Sequence, residues 1–123
     1  MPTATITPVR VLIVDDHPSF RASARILLES EGYEVVGEAA DGAGALAAVE
    51  ELHPDVVLLD VQLPDLDGCE VAARLGQRED PPVVILTSSR DVGDYGSCVR
   101  DCGARGFVPK AELSGAVLTT LLG

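Results

Sequence analysis

The sequence is short of basic and aromatic residues. Its 123 residues include 9 Lys and Arg against 20 Asp and Glu, a formal net charge of −11, and it has two Phe, two Tyr and no Trp. A nucleic-acid surface needs a basic stripe or stacking rings, so we expect no direct binding of nucleic acid. No apolar run approaches the roughly 20 residues that span a bilayer, so we expect no membrane span.

Cysteine is scarce as well, with Cys69, Cys98 and Cys102 the only three. The first eight residues lack the basic start and apolar middle of a secretory signal. The lack of such a signal predicts a cytoplasmic protein. An odd number of cysteines in such a chain predicts reduced thiols. Cys98 and Cys102 are four residues apart, a spacing that puts both on one helical face, and buried packing is favoured over a metal site.

The composition, 46% hydrophobic and 24% charged, is that of a globular chain long enough for one domain. We expect a tail at residues 1–8 and a single domain at residues 9–123. Five apolar runs suit buried parallel strands, at residues 9–14, 33–39, 55–59, 83–86 and 106–108. The segments between them predict helices, the weakest at residues 91–101 because it contains Gly93 and Gly96.

The alternation of strands and helices predicts an α/β fold. Right-handed crossovers then place helices on both faces of one parallel sheet. Five strands fit the flavodoxin-like, doubly wound order 2-1-3-4-5. Ligands of such sheets bind beyond the carboxyl ends of the strands where the winding reverses, here between the first and third strands.

Acidic residues follow the two strands that meet at this point. Asp15 and Asp16 follow the first strand and Asp60 follows the third. Three converging carboxylates repel one another unless a cation is present, and Mg²⁺ is a hard ion that takes oxygen ligands. The pattern therefore predicts a magnesium site.

The fourth and fifth strands end in groups that suit a phosphate. Thr87 and Ser88 finish the fourth strand and Lys110 closes the fifth. A hydroxyl and an ammonium at one sheet edge can bind phosphoryl oxygens. Asp60 lies in the centre of the set, so we expect it to accept the phosphoryl group while the two acids of the first strand hold the metal.

Four motifs match one known family over essentially the whole chain: VDDHP at residues 14–18, LDVQLPDLDG at 59–68, LTS at 86–88 and GARGFVPK at 103–110. With them the chain resembles a response-regulator receiver domain of two-component signalling, and it is similar to receivers that precede a LuxR-type helix-turn-helix.

The resemblance implies a role for each matching residue. Asp60 would be the phosphoacceptor, and the metal ligands would be Asp15, Asp16 as the direct ligand, Asp60 and the backbone carbonyl of Gln62. Thr87 and Lys110 would bind the phosphoryl group. Thr87 and Phe107 would form the switch, although Phe107 stands where the family often has Tyr, and Ser88 stands where Ala is usual.

The resemblance also implies partners. A histidine kinase or phosphotransfer protein would donate the phosphoryl group, and phosphorylation would favour a homodimer. As a receiver, the chain would catalyse only its own phosphorylation and slow dephosphorylation. A DNA-binding output domain would lie after Gly123, where the last predicted helix ends, so we expect either a single-domain regulator or part of a longer one.

Other functions fit less well. An Mg²⁺-dependent aspartyl phosphatase or phosphotransferase normally has a second acid two residues after its nucleophile, where Gln62 stands here. A flavin-binding module needs a phosphate loop after the first strand, where Asp15 and Asp16 would repel the phosphate. The complete acceptor set disfavours an interaction domain that works without phosphorylation.

Two histidines and two further acids are predicted to have structural roles. We expect His17 to be a loop residue before Pro18, and His53 to end a helix. Asp65 and Asp67 lie in a turn where Asp favours local hydrogen bonds, so neither is expected to bind metal.

Overall fold

A computed structural model describes residues 8–89 and 102–122 of the chain. Strands and helices alternate in these residues, in the order β1 (Arg10–Val14), α1 (Pro18–Ser30), β2 (Glu34–Ala39), α2 (Gly42–Leu52), β3 (Val56–Asp60), α3 (Gly68–Gly76), β4 (Val83–Ser88), β5 (Gly106–Pro109) and α4 (Gly115–Leu122). A short 3-10 helix, Lys110–Glu112, joins β5 to α4. The helix predicted at residues 91–101 and most of the predicted N-terminal tail lie outside the described residues.

The five strands form one parallel sheet in the order β2-β1-β3-β4-β5, which confirms the predicted fold. β3 is central and buried at all five positions, as its continuous apolar sequence predicts. β1 and β3 are neighbours whose chains leave toward opposite sides, so the winding reverses between them.

The core lies on both faces of the sheet. On one face, Leu12 and Val14 of β1 pack in the cluster that contains the buried residues of α2 and α3. On the other face, Val11 and Ile13 pack in the cluster that contains Ala24 and Leu28 of α1 and Leu118 of α4. Successive strand residues point to opposite faces, so each strand contributes to both clusters and the sheet is covered on both sides.

Local signals in the sequence set the helix ends. The Asp41 carboxylate accepts a hydrogen bond from the Gly44 N–H at 2.7 Å and caps the start of α2. His53 ends α2, as predicted, and its backbone lies in the left-handed region with φ of 49°. Gly32 follows α1 with φ of 91°, a conformation that costs glycine little.

The expectation of reduced cysteines is wrong for Cys69, which is disulfide-bonded. Cys102 is half-buried and packs against the core cluster that contains α2 and α3. A disulfide requires two Cα atoms about 4.4–6.8 Å apart. That distance depends on tertiary structure, so counting cysteines could not predict the bond.

Across residues 8–89 and 102–122, no helix is both long enough and apolar enough to cross a membrane.

Candidate functional site

The carboxyl ends of β1, β3 and β4 bring the predicted acids and hydroxyl to one edge of the sheet. Asp15 follows β1, and Asp60 is the last residue of β3 and pairs in register with Thr87 of β4. Asp15, Asp60 and Thr87 are all buried, whereas Asp16 is exposed. The edge is therefore a partly buried acidic site with one solvent-facing carboxylate.

Lys110 joins the two buried carboxylates. Its Nζ lies 2.6 Å from Asp15 Oδ2 and 3.2 Å from Asp60 Oδ2. The side chain is only 14% exposed, and its Nζ lies 4.6 Å from the centroid of the Phe20 ring on α1. The end of β5 thus brings a cation to acids 50 and 95 residues earlier in the chain, as the strand order predicts.

The site perturbs the protonation of both Asp60 and Lys110. Burial raises the pKa of Asp60 and the nearby Asp15 charge adds to this, although the Gln62 N–H and Lys110 act in the opposite direction. Burial alone would lower the pKa of Lys110, but its hydrogen bond to Asp15 and the charges of Asp60 and Asp15 outweigh that effect, so its pKa is raised. Asp60 therefore ionises less readily than an exposed Asp, and Lys110 stays protonated.

The donor atoms of this site fit a hard divalent cation. Oxygen atoms of Asp15, Asp16 and Asp60, together with a ring nitrogen of His17, all lie within 4.8 Å of one another. Carboxylate oxygens are the ligands that Mg²⁺ prefers, and Mg²⁺ usually retains several waters. The exposed Asp16 leaves the solvent side open for such waters.

Thr87 presents a buried hydroxyl beside Asp60. Within the described part of the chain, its Oγ1 has no hydrogen-bond partner, which costs about 1–3 kcal/mol for a buried polar group. Ser88, the next residue, is also buried. A hydroxyl left unsatisfied at the end of β4 is suited to bind an incoming anionic group.

Phe107 lies on β5, the strand next to the one that carries Thr87. It pairs in register with Leu86 of β4, while Thr87 pairs with Val108. The Phe107 ring is half-buried and packs against the core cluster that contains α2 and α3. Its register partner Leu86 directly precedes Thr87 on β4.

The loop from β3 to α3 returns to the backbone of Asp60 because residue 68 is glycine. The Gly68 N–H donates to the carbonyl of Val61 at 2.7 Å. A Cβ at Gly68 would overlap the Asp60 carbonyl oxygen and the Val61 Cα. Within this loop the Gln62 N–H donates to Asp60 Oδ1 at 3.0 Å, so Gln62 lies beside the predicted acceptor.

Asp67 makes the local hydrogen bond that the sequence predicts, but Asp65 has distant partners. Asp67 accepts from the Cys69 N–H and caps α3. Asp65 accepts from the N–H groups of Gly42 at 2.7 Å and Ala43 at 2.9 Å, and these bonds lower its pKa. Asp65 therefore ties the loop of the site to the start of α2, which no local sequence signal indicates.

His17 belongs to the site more closely than the sequence indicates. Its Nδ1 lies 3.0 Å from Asp15 Oδ1 and 3.0 Å from Asp16 Oδ1. Lys110 Nζ is 3.5 Å from the same nitrogen. The only sequence signal for this arrangement is that His17 directly follows the two acids.

Comparison with known proteins agrees with this arrangement. The family described as the response regulator receiver domain matches residues 11–121. The DNA-binding transcriptional activator EvgA of Escherichia coli is 36% identical over 104 residues, which are 85% of this chain and 51% of EvgA. The chain spans about half the length of the curated relatives it matches.

Solved structures agree in fold and in sequence. The signal receiver domain of NarL from Mycobacterium tuberculosis has a TM-score of 0.83 and 41% identity, covering 96% of this chain and 99% of that one. A LuxR-family two-component response regulator from Aurantimonas has a TM-score of 0.83 and 32% identity, covering 95% of this chain and 87% of that one. The chain therefore belongs to the response regulator receiver domain family.

Proposed function

We propose that this chain is a phosphoaspartate switch. Asp60 accepts a phosphoryl group from a histidine kinase or phosphotransfer protein, in a reaction that uses Mg²⁺. The observation that carries this proposal is Lys110, whose ammonium bridges the buried carboxylates of Asp15 and Asp60 at one sheet edge. A phosphoryl acceptor needs this combination of a carboxylate, a cation and nearby metal-binding acids.

The chemistry starts from ionised Asp60. One of its carboxylate oxygens attacks the phosphorus atom, and an O–P bond forms as the bond from phosphorus to the donor nitrogen or oxygen breaks. The bonding electron pair leaves with the donor. The Lys110 ammonium lies 3.2 Å from Asp60 Oδ2, close enough to pair with a phosphoryl oxygen carried on that carboxylate.

Asp15, Asp16 and Asp60 would hold Mg²⁺, with the backbone carbonyl of Gln62 as a further ligand. When bound, the ion supplies positive charge that offsets the charge of the phosphoryl oxygens. The raised pKa of Asp60 disfavours the ionised carboxylate that the reaction needs. A cation held beside Asp60 favours that ionised form, which supports this assignment. Gln62 lies in the loop that contacts Asp60 directly.

The signal would leave the site through Thr87 and Phe107. A phosphoryl group adds a charge of about −1.5 to −2 and three acceptor oxygens, and the buried Thr87 hydroxyl is a donor without a partner among the described residues. Movement of Thr87 toward the phosphoryl group would alter the packing of Phe107 on β5. Phe107 has no phenolic hydroxyl, so its response would consist of apolar repacking.

The wider role follows from the relatives. EvgA is described as a DNA-binding transcriptional activator, and the match covers 51% of its length. We infer that this chain acts as the receiver part of a cytoplasmic transcription regulator, with a DNA-binding output domain beyond it. Phosphorylation would favour a homodimer of such a regulator.

Mass spectrometry of the intact protein tests the function. Incubation with Mg²⁺ and acetyl phosphate is expected to add the mass of one phosphoryl group, and Asp60→Asn is expected to abolish the adduct. A full adduct in the variant would refute Asp60 as the acceptor. Rapid hydrolysis of a stable phosphomonoester by the wild type, with loss of this activity in Asp60→Asn, would instead support an aspartyl phosphatase. Gln62 disfavours that function, because such phosphatases normally have an acid at this position.

A further inference from the structure

One atom of the His17 imidazole, Nδ1, lies beside the predicted metal-binding acids Asp15 and Asp16. This nitrogen makes both 3.0 Å contacts, to Asp15 Oδ1 and to Asp16 Oδ1. The side chain is 63% exposed, so burial does not force it to lie beside the acids. Besides these two carboxylates, Lys110 is a charged group that faces Nδ1, at the longer distance of 3.5 Å.

The 3.0 Å separations are hydrogen-bond distances, and they equal those of neighbouring ligands around one ion. Nitrogen and oxygen ligands lie about 2.0–2.2 Å from Zn²⁺, and oxygen ligands lie about 2.0–2.1 Å from Mg²⁺. Two such ligands at adjacent corners of an octahedron are about 3.0 Å apart. The Nδ1 atom of His17 has this separation from an oxygen of Asp15 and from an oxygen of Asp16.

We propose that His17 is an additional ligand of the metal site and raises the affinity of the site for first-row transition ions relative to Mg²⁺. This inference rests on the metal-binding part of the proposed function. Imidazole nitrogen suits ions such as Ni²⁺, Zn²⁺ and Fe²⁺, whereas Mg²⁺ takes carboxylate, carbonyl and water oxygens. His17 therefore adds affinity for the transition ions and little for Mg²⁺.

The backbone around His17 holds the imidazole in place and allows a clean substitution. Its N–H donates to Asp15 Oδ1 at 2.8 Å, a bond that any side chain would leave intact. His17 is also the N-cap residue of α1, with no capping hydrogen bond from its side chain. Asn is a favoured N-cap residue, so His17→Asn replaces the nitrogen donor with an amide while preserving the helix start.

Calorimetric titration of the purified chain with NiCl₂ and with MgCl₂ tests the proposal. We expect His17→Asn to lower Ni²⁺ affinity by about tenfold or more and to leave Mg²⁺ affinity within about twofold. His53→Asn is the matched control, because Asn tolerates the left-handed backbone at that position. This control is expected to bind both ions like the wild type.

Pulsed electron paramagnetic resonance on the Mn²⁺-loaded protein supplies a second readout. The ¹⁴N coupling of a directly bound imidazole is expected in the wild type and in His53→Asn, and its loss is expected in His17→Asn. Equal Ni²⁺ affinity in wild type and His17→Asn would overturn the proposal. Tighter binding of both Ni²⁺ and Mg²⁺ by His17→Asn would also overturn it, since His17 would then compete with the metal.

Failure of this proposal is distinguishable from failure of the proposed function. The function fails if the wild type forms no phosphoryl adduct with Mg²⁺ and acetyl phosphate. The ligand role of His17 fails if wild type and His17→Asn bind Ni²⁺ with equal affinity, whether or not the phosphoryl adduct forms.

Discussion

Asp60 must be ionised to act as a nucleophile, yet its surroundings disfavour the charge. Burial is the main cause of its raised pKa, and the Asp15 carboxylate adds to it. Because the folded-state pKa lies above the ordinary value of 3.8, ionisation of Asp60 opposes folding. The free energy of unfolding therefore falls as the pH rises from the ordinary pKa of Asp through the raised pKa of Asp60. This destabilisation persists at neutral pH.

Asp60→Asn should therefore raise the Tm of the metal-free protein at neutral pH, by roughly a few degrees. Lys110 keeps its ion pair with Asp15 in the variant. The difference from wild type should shrink as the pH falls through the raised pKa of Asp60 and vanish below the ordinary pKa of 3.8, because Asp60 is then neutral in both the folded and the unfolded state. Thermal melts in a chelator across this pH range measure it.

Asp16→Asn controls for a general reduction in negative charge, since Asp16 is an exposed acid of the same cluster. It is expected to raise the Tm less than Asp60→Asn does. A lower Tm for Asp60→Asn at neutral pH would contradict the inferred cost of its ionisation.

Thr87 is expected to matter after phosphorylation and little before it. Thr87→Val replaces a buried hydroxyl that has no partner within the described residues with a methyl of similar size, so the unphosphorylated protein should not lose stability. The phosphorylated variant should lose most of the change in hydrogen exchange around Phe107. An undiminished change there would show that the coupling runs through other residues.

The loop from β3 to α3 depends on close contact with the strand that carries Asp60. Gly68→Ala places a methyl against the Asp60 carbonyl and the Val61 backbone. We expect a loss of about 1–3 kcal/mol in the free energy of unfolding, measured by urea denaturation, together with weaker Mg²⁺ binding.

Gly76→Ala is the matched control for this prediction. Gly76 ends α3, and nothing lies within 4 Å of the Cβ that the substitution adds. The change should stabilise the protein slightly, by up to about 1 kcal/mol. Equal stability of the two variants would argue against close packing at Gly68.

The elements themselves were largely predictable because their signals are local. The apolar runs give the strands, although β4 continues past the predicted end at Leu86 through two buried polar residues. Asp41, the residue directly before α2, signals the start of that helix. Asp65 supports the same helix from 22 residues along the chain, and only the folded arrangement of the loop reveals that contact.

At the scale of the molecule, the sheet order was predictable because alternating strands and helices with right-handed crossovers leave few topologies. That order also indicated the meeting of Asp15, Asp60 and Lys110, since each follows a strand at the same edge. The rotamer that points His17 Nδ1 at the acids and the disulfide of Cys69 depend on distances that no sequence pattern encodes.

The charge of −11 restricts how two copies could associate. A dimer should use the surfaces of α1 or α4, or residues 91–101, and avoid the acidic edge around Asp15 and Asp16, where two copies would repel each other. Sedimentation of the phosphorylated and unphosphorylated chain tests this. We expect a larger mass after phosphorylation, and equal masses at all concentrations would refute a phosphorylation-driven dimer.

The most direct test of Asp60 as a metal-assisted phosphoacceptor locates the phosphoryl group. An aspartyl phosphate formed with Mg²⁺ and acetyl phosphate can be reduced with borohydride to a stable homoserine and mapped by peptide mass spectrometry. We predict reduction at position 60 alone, and only in samples that contained the divalent ion. Reduction at position 15 or 16, or an equal yield in chelator, would contradict a metal-assisted phosphoacceptor at Asp60.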